Sequence, residues 1–202
     1  MKFVKKIPPT DRELSASLVS DGWKKIKEPS SLFSAILCSI PFMVVNGIAT
    51  YLVIKHFYDP LKTIIGSQSI SLEINILDML AGLAIFFLLL LIHEFLHALF
   101  IPNFIKSDQT YWGLSINGGF VSTTQKLTKT EFIIISILPF IFISFILPVI
   151  LGLLGLLNGF IFFLAIFNAM ASSVDILSLT LILFQIPKNG FIINNGFETY
   201  YR

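Results

Sequence analysis

The sequence has few charged residues and a single cysteine. Charged side chains make up 13% of its 202 residues, about half the share of about 25% that is typical of a soluble domain. The net charge is only +2, and the Lys and Arg residues cluster beside apolar runs, so nucleic-acid binding is not indicated. Cys38 has no second cysteine with which to form a disulfide. These absences argue against a soluble globular domain and a nucleic-acid partner.

Hydrophobic residues are abundant, at 55% of the chain. Several apolar runs exceed the roughly 20 residues needed to cross a bilayer core. We predict an all-α membrane protein with the lipid bilayer as its surroundings. The predicted transmembrane helices are at about 32–53, 75–101, 132–157 and 160–184. They form a membrane domain over 32–185, preceded by an arm over 1–31 and followed by a polar tail over 186–202.

The distribution of Lys and Arg predicts the orientation of these helices. The arm contains seven such residues, the 102–131 connection three and the tail two, against two in the loop after the first span. Positive residues favour the cytoplasmic side. The arm also lacks the apolar core and cleavage site of a signal peptide. We therefore expect both termini and the 102–131 connection to be cytoplasmic in a multi-pass protein.

A metal-binding motif lies within the second predicted span. Residues 93–97 are His93-Glu94-Phe95-Leu96-His97, and histidines four apart project from the same face of a helix and can share a metal ion. A pattern this short also arises by chance. Ionisable groups placed after the apolar run 85–92 are costly in a membrane unless they are paired or bound to metal, so a metal site is the favoured interpretation.

The fourth predicted span supplies a candidate third ligand. Asn168, Ser172 and Asp175 form one polar stripe on an apolar helix, which we expect to face the bundle interior. With four spans, the second and fourth run in the same direction, and Asp175 comes to a depth compatible with that of the histidines. Asp78 lies 15 residues before His93, about 22 Å along the helix, and is too distant.

This set of residues predicts a hydrolytic zinc centre. Two imidazoles, one carboxylate and an open position with water are typical of catalytic zinc, here with His93, His97 and Asp175 as ligands. Zinc lowers the pKa of a bound water toward about 7, and Glu94 is placed to take its proton and pass it to the leaving amine. Asn168 is a candidate to bind substrate backbone or the oxyanion, or alternatively to link helices.

Local patterns predict a β-hairpin and three helix starts. Residues alternate from Trp112 to Ile116, and Asn117-Gly118 is a strong hairpin turn before Phe120. The hairpin would either hold an extended substrate at its edge or act as a structural loop. Helix starts are indicated by capping patterns at Thr10-Asp11-Arg12-Glu13, Asn75 to Asp78, and Thr128 to Glu131. The first predicts a short amphipathic helix in the arm.

These residues resemble those of a known group of enzymes. His93, Glu94 and His97 in one span, with Asn168 and Asp175 in a later span, are similar to the core of the site-2-protease-type intramembrane zinc metalloproteases. Across nearly the full length, the chain is more similar to a family of small, four-pass bacterial membrane proteins described as zincin peptidases. The resemblance implies zinc bound by the two histidines and Asp175, Glu94 as acid or base, and a bacterial cell membrane. One departure is that no proline lies between Asn168 and Asp175 and Ile176 replaces a glycine, which predicts a less broken fourth helix.

Three functions are compatible with the sequence. The favoured one is a membrane-embedded zinc endopeptidase that cuts transmembrane or juxtamembrane segments of a peptide or membrane-protein substrate. A related one is a zincin that is only anchored in the membrane and cuts soluble peptides. The third is a non-catalytic metal-binding scaffold or regulator. Glu94 discriminates between them, because a binding site needs the histidines but has no evident need for a carboxylate beside them.

Overall fold

The computed structural model describes residues 1–60, 62, 75–115 and 118–202. Within these residues the fold is mostly helical, with four helices long and apolar enough to cross a membrane. We call them spans 1 to 4: Leu32–Ile54, Ile76–Leu99, Lys129–Leu153 and Gly159–Gln185. Their bounds agree with the predicted spans to within a few residues. Small β-sheets are also present, so the prediction of an all-α protein with one hairpin was too narrow.

Spans 2 and 3 each begin at a capping residue, whose side chain accepts a hydrogen bond from a backbone amide in the first turn of the helix. Asn75 accepts a hydrogen bond from the Asp78 amide at 2.9 Å and caps helix α3 (Ile76–Leu99), which follows α1 (Arg12–Ser20) and α2 (Leu32–Ile54). Thr128 and Glu131 form a reciprocal capping box at the start of span 3. Both caps were predicted, and each satisfies backbone donors that a helix leaves unpaired.

Span 3 is irregular because of two prolines. It comprises α4 (Lys129–Ile141), a π-helical turn (Phe142–Ile146) and α5 (Leu147–Leu153). Pro139 lies within α4 and Pro148 at the start of α5. A proline has no N–H to give to the carbonyl four residues earlier, so two carbonyls of this span are left without their usual helical donor.

Span 4 is interrupted at one residue. Its two parts are α6 (Gly159–Ala171) and α7 (Ser173–Gln185). Ser172 separates them, yet its amide still donates to Asn168 at 2.9 Å and its carbonyl accepts from Ile176 at 3.0 Å. The backbone hydrogen bonding of a helix therefore continues across the interruption.

The core between the spans is formed by spans 2, 3 and 4. Leu89 and Leu96 of span 2 pack with Ile143 of span 3 and Leu164 of span 4 in one buried cluster. Span 1 packs against both parts of span 4 instead. The side of span 2 that carries the histidines is thus enclosed by spans 3 and 4.

The predicted hairpin follows span 2 along the chain. It consists of β3 (Thr110–Ser115) and β4 (Gly118–Thr123), paired antiparallel, with β1 (Lys2–Phe3) added in parallel to β3. The strand order β1-β3-β4 makes β4 an edge strand of this sheet. Ser115 pairs with Gly118, so Gly118 belongs to the strand, while residue 117 of the predicted turn lies outside the described residues.

A second sheet joins the arm to the tail. Its strands are β2 (Lys24–Lys25), β5 (Leu127–Thr128), β6 (Phe191–Asn195) and β7 (Glu198–Tyr201), in the antiparallel order β2-β7-β6-β5. Residues 191–201, expected to be a polar tail, are a hairpin, with Gly196 in its turn at a φ of 61°. The sheet therefore gathers segments from both ends of the chain and from the start of span 3.

Helix α1 lies in the arm as predicted, but its cap is shifted by one residue. Asp11, and not Thr10, is the N-cap, and its carboxylate accepts from the amides of Glu13 and Leu14. The Thr10 hydroxyl instead accepts from the Phe197 amide at 3.3 Å. This contact to the tail takes Thr10 out of the capping role.

Candidate metal centre

The two motif histidines lie on the same face of α3. His93 and His97 are one helical turn apart, and their ring centroids are 5.0 Å from each other. Their side chains are only 12% and 13% exposed. Both imidazoles are thus fixed on the enclosed side of span 2, as the four-residue spacing predicts.

Asp175 is the third member of the cluster. It lies in the first turn of α7, and its Oδ2 is 3.4 Å from His93 Nε2 and 3.5 Å from His97 Nε2. One ligand atom from each of the three residues lies within 4.8 Å of the others. Tetrahedral zinc with bonds of about 2.0–2.1 Å separates its ligand atoms by about 3.3–3.4 Å. The donor types and the two distances between carboxylate and imidazole therefore fit a zinc ion.

The other nitrogen of each imidazole is also hydrogen bonded. His93 Nδ1 is 2.8 Å from Asn168 Oδ1, and His97 Nδ1 is 2.7 Å from the Ile135 carbonyl oxygen. Since both partners are acceptors, we assign the proton of each ring to Nδ1, which leaves the Nε2 lone pairs directed at Asp175. Outer hydrogen bonds of this kind orient histidine ligands in metal sites.

Asn168 is fully engaged in this network. It is 2% exposed, and its Nδ2 donates to the Pro139 carbonyl at 3.2 Å and to Ser144 Oγ at 2.9 Å. Its side chain thus connects span 4 to His93 and to the irregular part of span 3. Contact of Asn168 with a substrate stays a prediction.

Glu94 lies beside the three residues, against the edge strand β4. The backbone amide of Val121 on this strand faces the Glu94 carboxylate. A Cβ at Gly119 would be only 2.8 Å from Glu94 Cγ, so the absence of a side chain at 119 permits the close approach. Strand β4 therefore packs closely against the Glu94 side chain.

A large open cleft leads away from the cluster. Its volume is about 1220 Å³, and Glu94, His97 and Asp175 line one part of it. Strand β4 lines it along Gly119 to Thr123. The arm and the tail contribute further lining residues, among them Lys5, Lys6, Ile7, Glu28, Asn194 and Phe197. The cluster is thus reachable from the end of the bundle that carries both sheets.

The sequence matches one known protein family over just over half of its length. Residues 86–191 match the family described as "Putative zincin peptidase". The chain belongs to this family. Neither the curated proteins nor the solved structures contain a match. The resemblance to the zincin peptidase family was thus correctly inferred from the sequence.

The matched region contains the whole candidate centre of this zincin peptidase family member. It begins within α3 and ends at the start of β6, and so includes both histidines, Glu94, Asn168 and Asp175. Asp78 lies outside the matched region, and its own amide is bound to the cap residue Asn75.

Sequence reasoning missed three contributors to the centre: Ile135, Gly119 and Val121. Ile135 and Val121 act through backbone atoms. Gly119 contributes because it has no side chain, which leaves room for Glu94. A sequence motif records side chains, so such roles leave little trace in it. The sequence did contain one signal for Ile135. Pro139 lies four residues after it and has no N–H, so the Ile135 carbonyl lacks its usual helical donor.

Proposed function

We propose that this zincin peptidase family member is a membrane-embedded zinc metalloprotease that hydrolyses peptide bonds of transmembrane or juxtamembrane segments. The observation that carries the proposal is the convergence of His93 Nε2, His97 Nε2 and Asp175 Oδ2 beside the Glu94 carboxylate. Two imidazoles and a carboxylate form the donor set of a catalytic zinc site, and the Glu94 carboxylate beside them can serve as the base.

In the proposed mechanism, His93, His97 and Asp175 hold the zinc ion. When bound, zinc would activate a water molecule and polarise the carbonyl of the scissile bond. Glu94 accepts the proton of the water and later delivers it to the leaving amine. The Val121 amide keeps the Glu94 carboxylate oriented between these two transfers. His93 and His97 are kept in one tautomer by Asn168 and Ile135.

The position of the centre supports a substrate at the membrane boundary. His97 lies two residues before the end of α3 and His93 six residues before it, which places them about 3 and 9 Å from that end. The sequence of the connection, arm and tail is rich in Lys and Arg, so we propose that this end is cytoplasmic. A peptide bond near the cytoplasmic end of a transmembrane segment is the substrate that fits this depth.

Strand β4 offers a binding mode for that substrate. Val121 lies opposite Trp112, whose carbonyl points to β1 and accepts from Val4 at 2.9 Å. The backbone groups of Val121 therefore point away from β3, toward the free edge beside Glu94. We propose that an extended substrate pairs with this edge, as peptides do with other exposed strands.

The proposed activity is tested with Glu94→Gln, with Glu131→Gln as the matched control. Glu131 caps span 3, and glutamine is also accepted in a capping box. Membranes containing wild-type protein, E94Q or E131Q are incubated, and the new peptide N-termini are identified by mass spectrometry. We expect wild type and E131Q to generate the same set of N-termini, and E94Q to generate none of them while it retains about one zinc per chain.

Three outcomes would contradict the proposal in whole or in part. If E94Q generates the wild-type N-termini, Glu94 is not the acid or base. If wild-type protein binds zinc but no N-terminus depends on it, the non-catalytic metal-binding scaffold or regulator is favoured. Cleavage confined to soluble peptides would favour the zincin that uses the membrane only as an anchor.

A further inference from the structure

The carbonyl that orients His97 is available because of a proline. Ile135 lies in α4, where its oxygen would normally accept from the amide four residues later. That position is Pro139, which has no N–H to donate. The Ile135 oxygen instead accepts from His97 Nδ1 at 2.7 Å. A single proline thus removes the competing donor and leaves the oxygen for the imidazole.

The same proline is connected to the other histidine. The Pro139 carbonyl accepts from Asn168 Nδ2 at 3.2 Å, and Asn168 Oδ1 accepts from His93 Nδ1 at 2.8 Å. Pro139 itself is fully buried. One turn of span 3 therefore contacts the outer nitrogens of both imidazoles, directly through Ile135 and indirectly through Asn168.

We infer that Pro139 is a positioning residue of the metal centre, because its missing N–H leaves the Ile135 carbonyl free to hold His97 with Nε2 directed at the metal. This inference rests on the proposed function only in requiring that the centre binds zinc. It gives a role in metal binding to a residue that is distant from the His-Glu-x-x-His motif in the sequence and contributes no side-chain donor.

Alanine at this position would restore the competing donor. The backbone N–H of residue 139 would then complete the helical hydrogen bond to Ile135. The Ile135 oxygen would be shared between two donors, which weakens its hydrogen bond to His97 Nδ1. Loss of an outer partner of a metal ligand typically lowers metal affinity about 10–100-fold. We therefore expect the Zn²⁺ dissociation constant of Pro139→Ala to rise by about that factor.

The experiment measures Zn²⁺ affinity of the full chain in detergent by competition with a chelator. Wild type is compared with P139A and with Pro41→Ala, a control that also removes a proline inside a transmembrane helix. Visible spectra of the Co²⁺-loaded proteins report the geometry around the metal. In a fourth protein, lactic acid replaces Pro139, so that the ring is lost but no N–H is introduced.

We expect P139A to bind Zn²⁺ about 10–100-fold more weakly and to show an altered Co²⁺ spectrum. P41A and the lactic acid protein should keep the wild-type affinity and spectrum. Wild-type affinity in P139A would overturn the inference. Equally weak binding in P139A and the lactic acid protein would also overturn it, because the ring and not the missing N–H would then be responsible.

A further variant covers the case in which P139A does not fold. Replacing Ser136 by its α-hydroxy acid analogue turns the Ile135 carbonyl into an ester carbonyl, a weaker acceptor, without changing residue 139. We expect weaker Zn²⁺ binding in this protein, and unchanged binding would contradict the inference. If wild-type protein itself fails to bind Zn²⁺, the proposed function fails instead, so the two failures are distinguishable.

Discussion

Replacement of Asn168 by leucine tests how far the zinc site depends on its outer hydrogen bonds. Leucine has a similar size and no polar atoms. The change removes the acceptor of His93 Nδ1, at 2.8 Å, and the donors to the Pro139 carbonyl and Ser144 Oγ, at 3.2 and 2.9 Å. The Pro139 oxygen still accepts from the Phe142 amide. The groups that lose their partner are therefore the imidazole N–H of His93 and the buried hydroxyl of Ser144.

The expected loss of zinc affinity follows from the unpaired N–H of the His93 imidazole. A buried donor without an acceptor costs about 1–3 kcal/mol. Loss of an outer partner of a metal ligand lowers affinity about 10–100-fold, or about 1.4–2.7 kcal/mol. The two figures agree, so we expect N168L to bind Zn²⁺ about 10–100-fold more weakly.

The assay is Zn²⁺ competition with a chelator, with Asn46→Leu as the control. Asn46 is also a buried asparagine, but its Nδ2 links spans 1 and 4 by donating to the Ala169 carbonyl at 3.1 Å. N46L should keep the wild-type affinity. Unchanged affinity in N168L would refute the positioning of His93 by Asn168. A higher KM at unchanged zinc affinity would favour the predicted contact with substrate.

Two further predictions concern the hairpin and the tail. Gly119→Ala should lower kcat of peptide cleavage without loss of zinc, because its Cβ would lie 2.8 Å from Glu94 Cγ. The control is Gly82→Ala, whose Cβ would meet only ordinary contacts at 3.8 Å. Equal kcat values in the two variants would contradict this prediction. Lys25 holds the pKa of Glu198 below its usual value of 4.5. The ionised Glu198 carboxylate thus stabilises the folded chain above that pH, and this stabilisation is lost as the pH falls. We expect the thermal unfolding temperature to show this loss in the wild type and not in Glu198→Gln.

The spans and their starts could be predicted because their signals are local. An apolar run of about 20 residues is sufficient to indicate a transmembrane helix. The capping pairs Asn75 with Asp78 and Thr128 with Glu131 lie within one helical turn. The cap of α1 was misplaced because Thr10 and Asp11 both suit the role, and only the contact of Thr10 with the tail decides between them.

The sheet that joins arm and tail could not be predicted in the same way. Lys24 pairs with Tyr201, and Leu127 pairs with Ile192. Strands of two residues contain no alternation to detect, and their partners are distant in the sequence. The hairpin of β6 and β7 did have a signal in Asn195-Gly196, a dipeptide typical of tight turns.

The candidate site was predictable to the extent that side chains define it. The spacing of His93 and His97 places them on one helical face, and the matched depth of Asp175 follows from counting residues along two parallel spans. The partner of His97 Nδ1 is a backbone oxygen 38 residues away. Such a contact depends on how span 3 packs against span 2, which residue spacing does not encode.

The proposed metal centre requires that His93, His97 and Asp175 together hold one zinc ion. The most direct test is the zinc content of purified protein, measured by inductively coupled plasma mass spectrometry after dialysis against a weak chelator. We expect about one zinc per chain in wild type and in the control Asp78→Ala, and nearly none in Asp175→Ala. Full zinc content in D175A, or none in wild type, would contradict the claim.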